Sequence, residues 1–205
     1  MNILVLAGDY YHPDDVIRAG LAPLEGEAFH FTFSGMRDDF FDFDAVVLCK
    51  SDRVSAEDER TFMAGDFSEK LATYVRNGGG LLAVHAGTVA PKASQLLRDV
   101  IGCQFDHHPA QCPVTFEPKE HLLCEGVSAF TQQDEHYFLQ MFAQDADVFL
   151  ESTSDNGRQV AGYLRREGVG RVAVLTPGHL TPVWLDPQMQ TLLMRTIAWC
   201  AEGSR

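Results

Sequence analysis

Four short, unbroken apolar segments are spaced along the sequence, and they constrain its fold more than any other feature. A strand that is buried on both faces has a continuous apolar sequence, because neither of its faces meets water. The segments are NILVLA at Asn2–Ala7, DAVVLCK at Asp44–Lys50, GLLAVH at Gly80–His85 and RVAVLT at Arg171–Thr176. They predict buried strands in the middle of a parallel sheet.

Helical patterns fill most of the intervals between these segments. The predicted helices are Pro13 to about Leu24, Glu57–Asn77, Lys92–Ile101 and Gln188–Cys200. Gly78 is a natural stop for the second of them, and Ala28–Phe33 alternates in the manner of a further strand. Strands that alternate with helices predict a doubly wound α/β fold, with a mainly parallel sheet and right-handed crossovers.

The segment 104–164 has a different pattern, with short β-like stretches separated by polar turns. These stretches are Val114–Phe116, Val148–Leu150 and Val160–Leu164. They predict antiparallel strands in a small β-rich cap over the sheet edge. Because the chain has no repeat, linker or low-complexity segment, a single domain over residues 1–205 is expected.

The charge of the chain argues against polyanionic partners. The net charge is −13 and the isoelectric point is about 4.9, whereas nucleic acids and anionic membranes select clusters of Lys and Arg. No segment approaches the roughly 20 apolar residues that a bilayer span requires. The first residues, MNILVLAGDYY, lack a basic flank and are interpreted as a strand rather than a signal peptide.

The five cysteines, at positions 49, 103, 112, 124 and 200, include no C-x-x-C pair. This spacing argues against a disulfide framework and against a structural zinc knuckle. We interpret the cysteines as reduced thiols in a cytoplasmic protein, with all five lying away from His85.

His85 occupies the apex of a predicted strand-to-helix elbow. In such a turn the apical residue has a strained backbone, and the residues two positions before and after it must be small. Ala83 and Gly87 meet that demand. The alternative, a satisfied histidine at the end of an ordinary strand, stays open at this point.

Two further histidines follow predicted core strands: His179 comes after Arg171–Thr176, and His12 after Asn2–Ala7. In open α/β sheets, ligands bind outside the carboxyl ends of the strands. We therefore expect His85 and His179 to face one crevice, with His12 at the same edge.

Several segments resemble the ThuA-like (trehalose utilisation) family, within the class I glutamine amidotransferase-like superfamily. They occur in family order: GGGLLAVHAGT (78–88), IGCQFDHHP (101–109), EHLLCEGV (120–127), FTQQDEHYF (130–138), GVGRVAVLTPGH (168–179) and IAW (197–199). The resemblance implies a flavodoxin-like three-layer sandwich.

The resemblance also implies roles for individual residues. The elbow carries Cys in true amidotransferases and typically His in this family, as at His85, and His179 stands at the position of the amidotransferase histidine. Asp134, Glu135 and Tyr137 match the D-E-x-Y segment of the family. The expected catalytic residues are His85, His179, Glu135 and Asp134; the expected substrate-binding residues are His12, His108, Tyr137 and Gly87.

A glutaminase is excluded by the sequence, because amide hydrolysis through a thioester needs a thiolate at the apex. Histidine there serves either as a general acid or base, or as a neutral ligand of a divalent metal such as zinc, with His85 and His179 as the metal ligands. The family resemblance implies a sugar or keto-glycoside substrate.

No G-x-G-x-x-G follows a strand, so we expect that the chain binds no nucleotide cofactor and that any oxidation depends on a separate oxidoreductase. Two other functions stay open: a non-catalytic small-molecule binding module and a metal-dependent hydrolase. The closing segment LLMRTIAWC (192–200) is assigned to the core, with pairing to another copy as the alternative.

Overall fold

The apolar segments form adjacent strands in the computed structural model, which describes residues 1–63 and 65–202. The strands are β1 Asn2–Leu6, β2 His30–Ser34, β3 Ala45–Leu48, β4 Gly80–Val84, β5 Cys103–His107, β6 Cys112–Pro118, β7 Phe130–Asp134, β8 Phe138–Met141, β9 Asp147–Ser154, β10 Gly157–Glu167 and β11 Gly170–Leu175. The α-helices are α1 Asp14–Leu21, α2 Asp66–Arg76, α3 Gln95–Ile101, α4 Thr181–Trp184 and α5 Pro187–Ala201.

Nine of these strands form one mixed sheet in the order β2-β1-β3-β4-β11-β10-β9-β6-β7. The five from β2 to β11 are parallel to one another, as the apolar segments predict. The strands β3 and β4 are buried along their whole length. The carboxyl ends of these strands therefore meet at one edge of the sheet.

The antiparallel strands of the second half are confirmed, but their expected place as a cap over the sheet edge is wrong for most of them. The strands β10, β9, β6 and β7 continue the central sheet instead. The reason lies in β10, whose 11 residues turn back directly onto β11 and so pair with the open side of that strand. Only β5 and β8 form a separate two-stranded ribbon.

Helices cover both faces of the sheet, because side chains alternate along the buried strands. Ile3 and Val5 of β1 pack in one apolar core with residues of α1 and α5. Leu4 and Leu6 pack in the other core with residues of α2 and α3. This arrangement gives three layers.

The second predicted helix is wrong in its first half. It begins at Asp66 rather than at Glu57, because Gly65, in a left-handed conformation at φ 63°, starts the helix at that point. Residues 53–61 instead form a loop closed by a bridge between Arg53 and Thr61. Ala64, inside the predicted helix, lies outside the described residues.

The other helix boundaries differ less. The predicted helix Lys92–Ile101 is divided, because the Ser94 side chain accepts a hydrogen bond from the Leu97 amide and so begins α3 at residue 95. In residues 1–63 and 65–202, no helix has both the length and the apolar character needed to cross a bilayer.

Candidate functional site

The elbow at His85 is confirmed. His85 follows β4 with φ 46°, and it is the sole non-glycine residue at positive φ in the described part of the chain. Such a conformation costs on the order of 1–3 kcal/mol and is retained where the surroundings enforce it. A Cβ atom on Gly87 would overlap the Leu48 carbonyl oxygen and lie 3.3 Å from the Ala83 side chain. Gly87 thus makes room for the turn and is buried, and its expected role in substrate binding stays a prediction.

The orientation of the His85 ring is fixed from both sides. Its Nδ1 lies 2.7 Å from the Thr176 carbonyl oxygen, which only accepts, so Nδ1 donates the proton. In the neutral ring the lone pair therefore belongs to Nε2. The Tyr137 ring stacks on His85 at 3.9 Å between centroids.

His12, in the loop after β1, is oriented in the same way. Its Nδ1 lies 3.0 Å from the carboxylate of Asp9, which also accepts hydrogen bonds from the Tyr11, His12 and Ser51 amides. Burial alone would raise the pKa of Asp9, but the contacts with His12 and Ser51 outweigh it and hold the pKa low. Burial lowers the pKa of His12. A neutral His12 consequently presents the lone pair of Nε2.

Asp134 holds the loop that carries His179. Its carboxylate, completely buried at the end of β7, accepts hydrogen bonds of 2.9 Å from the amides of Gly178 and His179. Burial raises the pKa of Asp134, and His85 and the amide donors act against that shift. Because both oxygens accept from backbone amides, Asp134 positions the backbone of His179, and its catalytic role stays a prediction.

Replacement of Asp134 by Asn is expected to destabilise the protein by roughly 1–3 kcal/mol, because the amide group can no longer accept from both backbone donors. Urea denaturation of Asp134→Asn measures this loss, and Asp155→Asn, at an exposed position, is the control. An unchanged urea midpoint would contradict the assigned role of Asp134.

Glu135, directly after Asp134 and β7, lies at the centre of the site. Its Oε2 is 3.4 Å from His85 Nε2, 3.2 Å from His179 Nδ1 and 3.7 Å from His108 Nε2. Burial alone would raise the pKa of Glu135, but His179 and His85 outweigh it and lower the pKa; in turn, Glu135 raises the pKa of His179. The carboxylate is therefore ionised among the imidazoles.

His136 anchors the segment on the other side of Glu135. Its ring nitrogens lie 2.8 Å from Ser154 Oγ and 3.0 Å from Ser152 Oγ, so the imidazole connects the segment to β9. Burial lowers the pKa of His136. Together with Asp134, this contact fixes the backbone from which the Glu135 side chain projects.

These contacts define one cluster, named here the His–Glu cluster, which consists of His12, His85, His179 and Glu135. One ligand atom of each lies within 4.8 Å of the others. The expected convergence of His85, His179 and Glu135 is confirmed, and His12 joins them. The three imidazole centroids are 5.2, 5.4 and 5.6 Å apart, nearly an equilateral triangle. Imidazole nitrogen and carboxylate oxygen are the usual ligands of zinc and of other first-row divalent metals.

A cavity of about 320 Å³ opens beside the cluster and includes His12 and Glu135 in its lining. Tyr11, Phe105 and Tyr137 give it aromatic walls. His108, with its side chain 35% exposed, stands at the rim as expected. The volume lies at the lower end of the range for small-molecule sites.

The sequence analysis did not identify Asp9 and Thr176 as site residues, although both orient histidines of the cluster. For Asp9 a signal exists, since it stands three residues before His12 in the loop after a core strand. No sequence signal identifies Thr176, because it contributes a backbone carbonyl oxygen from the position just after β11, 91 residues away from His85.

The expectation that all five cysteines lie away from the elbow is wrong for Cys49. This residue lines a small internal cavity with His85 and His12, because it follows β3, the neighbour of β4 in the sheet. Burial raises the pKa of the Cys49 thiol well above its usual value, so the thiol is protonated.

Comparison with known proteins gives a family and a set of similar folds. The family model ThuA, described as trehalose utilisation, matches residues 15–200. No curated protein matches the sequence.

Among solved structures, a thua-like protein from Parabacteroides merdae has a TM-score of 0.77 at 18% identity, covering 99% of this chain and 90% of that one. A thua-like protein from Bacteroides uniformis has a TM-score of 0.73 at 15% identity, with coverages of 98% and 91%. A β-galactosidase from Rahnella sp. R3 has a TM-score of 0.68 at 13% identity, covering 96% of this chain but 31% of the enzyme. At these identities the likeness concerns the fold alone.

Proposed function

The chain belongs to the ThuA (trehalose utilisation) family, and from that premise we propose that it is an enzyme that acts on a sugar or a keto-glycoside at the His–Glu cluster. The observation that carries the proposal is the convergence of three imidazoles and one carboxylate on a single space beside a cavity. Such a set of groups offers both proton transfer and electrophilic assistance near neutral pH.

The cavity suits a neutral polyol. Tyr11, which lines the cavity and is largely exposed, offers the negative face of its ring to the weakly positive C–H face of a pyranose. Asp52 and Arg53 form a polar wall of the cavity beside Tyr11 and offer hydrogen-bonding groups to hydroxyls. Arg53 is paired with Glu59 at 2.9 Å, so this wall has no uncompensated guanidinium that would demand an anionic ligand.

The proposed roles follow from the contacts. Glu135, which is ionised and central, is the base that removes a proton from the substrate. In a keto sugar, the C–H bond next to the carbonyl is the most acidic one, and its electron pair moves onto the carbonyl oxygen as the proton leaves. His108 donates from Nδ1 to the Pro109 carbonyl at 2.7 Å, so its Nε2 faces the cavity and transfers the proton to or from the substrate oxygen.

A separate oxidoreductase is the proposed source of the keto group. The chain lacks the G-x-G-x-x-G signature of dinucleotide binding after a strand, so the oxidation is assigned to a partner that holds its own cofactor. The reaction at the His–Glu cluster then consumes a carbonyl compound that the partner releases.

Glutamine hydrolysis is excluded from the proposal, because the apex of the elbow is an imidazole and the neighbouring thiol of Cys49 is buried and protonated. A glutamine-analogue electrophile is expected to leave Cys49 unmodified in the native protein, as measured by peptide mass spectrometry. Modification of all five cysteines by iodoacetamide in denaturant is the control for reactivity. Stoichiometric native labelling of Cys49 would contradict this exclusion.

The test of the function compares trehalose, 3-keto-trehalose and an aryl 3-keto-glucoside as substrates of the purified protein. We expect turnover of a keto-glycoside by the wild type and by His30→Ala, which changes an exposed histidine, and no turnover by His179→Ala. Sugar binding without turnover would instead indicate a binding module. The absence of both sugar binding and turnover would refute the proposed substrate class.

A further inference from the structure

The geometry points to a cofactor site that the proton-transfer roles alone do not explain: we propose that His12, His85, His179 and Glu135 bind one divalent first-row transition metal ion, with zinc as the reference ion. The inference concerns the ion alone, and holds whether or not the substrate is a sugar.

The distances around Glu135 match those between ligands of one ion. Ligand atoms about 2.1 Å from a four-coordinate ion lie roughly 3.4 Å from each other. Glu135 Oε2 is 3.4 Å from His85 Nε2 and 3.2 Å from His179 Nδ1. The fourth ligand, His12, stays within the same 4.8 Å limit.

Two buried nitrogens of the cluster are without the hydrogen bonds that such atoms normally make. Within the described residues, neither His85 Nε2 nor His179 Nδ1 has a hydrogen-bond partner, although each lies near a carboxylate oxygen. Unpaired polar atoms of this kind are rare in folded proteins and point to a bound ion or water. In a neutral His85 ring, Nε2 makes no hydrogen bond to Glu135 because Nδ1 carries the proton. The Nε2 lone pair then points at the lone pairs of the Glu135 carboxylate. A cation between them turns this repulsion into attraction.

The outer contacts of the cluster are also those of a metal centre. Metal-binding histidines usually donate the second ring N–H to a carboxylate or a carbonyl oxygen, which fixes the tautomer and the ring orientation. His12 donates to the Asp9 carboxylate and His85 to the Thr176 carbonyl. Asp134 fixes the backbone of His179.

Water or a substrate would reach the ion from the side of the cavity. His85 is 2% exposed, whereas His12 and Glu135 line the cavity of about 320 Å³. A fifth position of the ion on that side would be open to water or to a substrate oxygen, as in catalytic rather than structural metal sites.

The competing explanation is a cluster held together by protons, in which an imidazolium of His85 or His179 pairs with Glu135 and no ion is bound. Metal titration of the full chain separates the two explanations without any substrate. The protein is stripped with a chelator, dialysed, and titrated calorimetrically with Zn²⁺ and spectroscopically with Co²⁺.

We expect about one ion per chain, with a Zn²⁺ Kd at or below about 1 µM and Co²⁺ absorption bands of a site with low coordination number. Glu135→Gln and His179→Ala, at partly exposed positions, should weaken binding by at least about 100-fold, since each removes a direct ligand. The matched controls His30→Ala and His107→Ala, at exposed histidines, should bind as the wild type does.

Failure to bind either ion would overturn the proposal, and so would binding that is unchanged in both ligand variants. Circular dichroism of each apo variant establishes that it is folded. Loss of turnover on every sugar, with stoichiometric metal binding retained, would refute the proposed substrate and leave the metal centre standing.

Discussion

Glu135→Gln is expected to lower kcat/KM by about 10²–10⁴-fold, the range found when a general acid or base is removed. The amide is nearly isosteric but cannot take up a proton at neutral pH. Its NH2 group or its weakly basic oxygen would also replace the carboxylate oxygen that lies 3.4 Å or less from both His85 and His179. Steady-state kinetics on the keto-glycoside that the wild type turns over measures the loss.

Glu120→Gln is the control for this variant, because it changes a glutamate at an exposed position outside the cluster. The folded state of Glu135→Gln is checked by its thermal midpoint. A kcat/KM within about threefold of the wild type, which is less than 1 kcal/mol of transition-state stabilisation, would remove Glu135 from the chemistry.

Gly87→Ala is expected to destabilise the protein by at least about 3 kcal/mol, the upper part of the range for overpacking a rigid interior. The added Cβ would overlap the carbonyl oxygen of Leu48, at the end of the buried strand β3. Because that strand is paired on both sides, by β1 and β4, its backbone cannot move away without breaking the sheet. Chemical denaturation monitored by circular dichroism measures the loss, and accumulation of the variant only as insoluble protein would equally indicate severe destabilisation.

The matched control is Gly35→Ala, where the new Cβ would meet its nearest atom, the Val54 carbonyl oxygen, at an ordinary 3.6 Å. We expect that change to cost less than about 1 kcal/mol. If Gly87→Ala proved as stable as Gly35→Ala, the steric account of the elbow would be wrong.

The parallel half of the sheet and three members of the cluster were accessible to sequence reasoning. Buried strands have a distinctive apolar pattern, and residues that follow such strands share an edge, so His85, His179 and His12 could be assigned to one place. Glu135 needed the family resemblance, since it comes from the antiparallel half, where no such pattern applies.

Asp134 and Glu135 show where sequence reasoning fell short. Both were predicted to be catalytic, and these roles stay predictions, but adjacent residues at a strand end point to opposite sides and differ in their contacts. One carboxylate consequently binds the backbone of residues 178–179, while the other faces the histidines. The alternation was a usable signal, but the partners of Asp134 depend on a loop 44 residues away and are not visible in a local pattern.

The sequence pattern also does not indicate where the antiparallel strands lie relative to the parallel half of the sheet. An antiparallel strand has the same pattern whether it caps a sheet or extends it. The difference was decided by the tight connection between β10 and β11, which pairs β10 with the free side of β11.

The central place of β11 has a consequence for the order in which the protein is made. It pairs with β4 on one side and β10 on the other, so it joins the parallel and antiparallel halves of the sheet. It is also the last strand in the described sequence. The other strands of the two halves are therefore synthesised before the strand that joins them. The halves form one sheet only after residues 170–175 have left the ribosome. His179 follows β11, so the His–Glu cluster is complete only after this late part of the described chain has been synthesised and has folded.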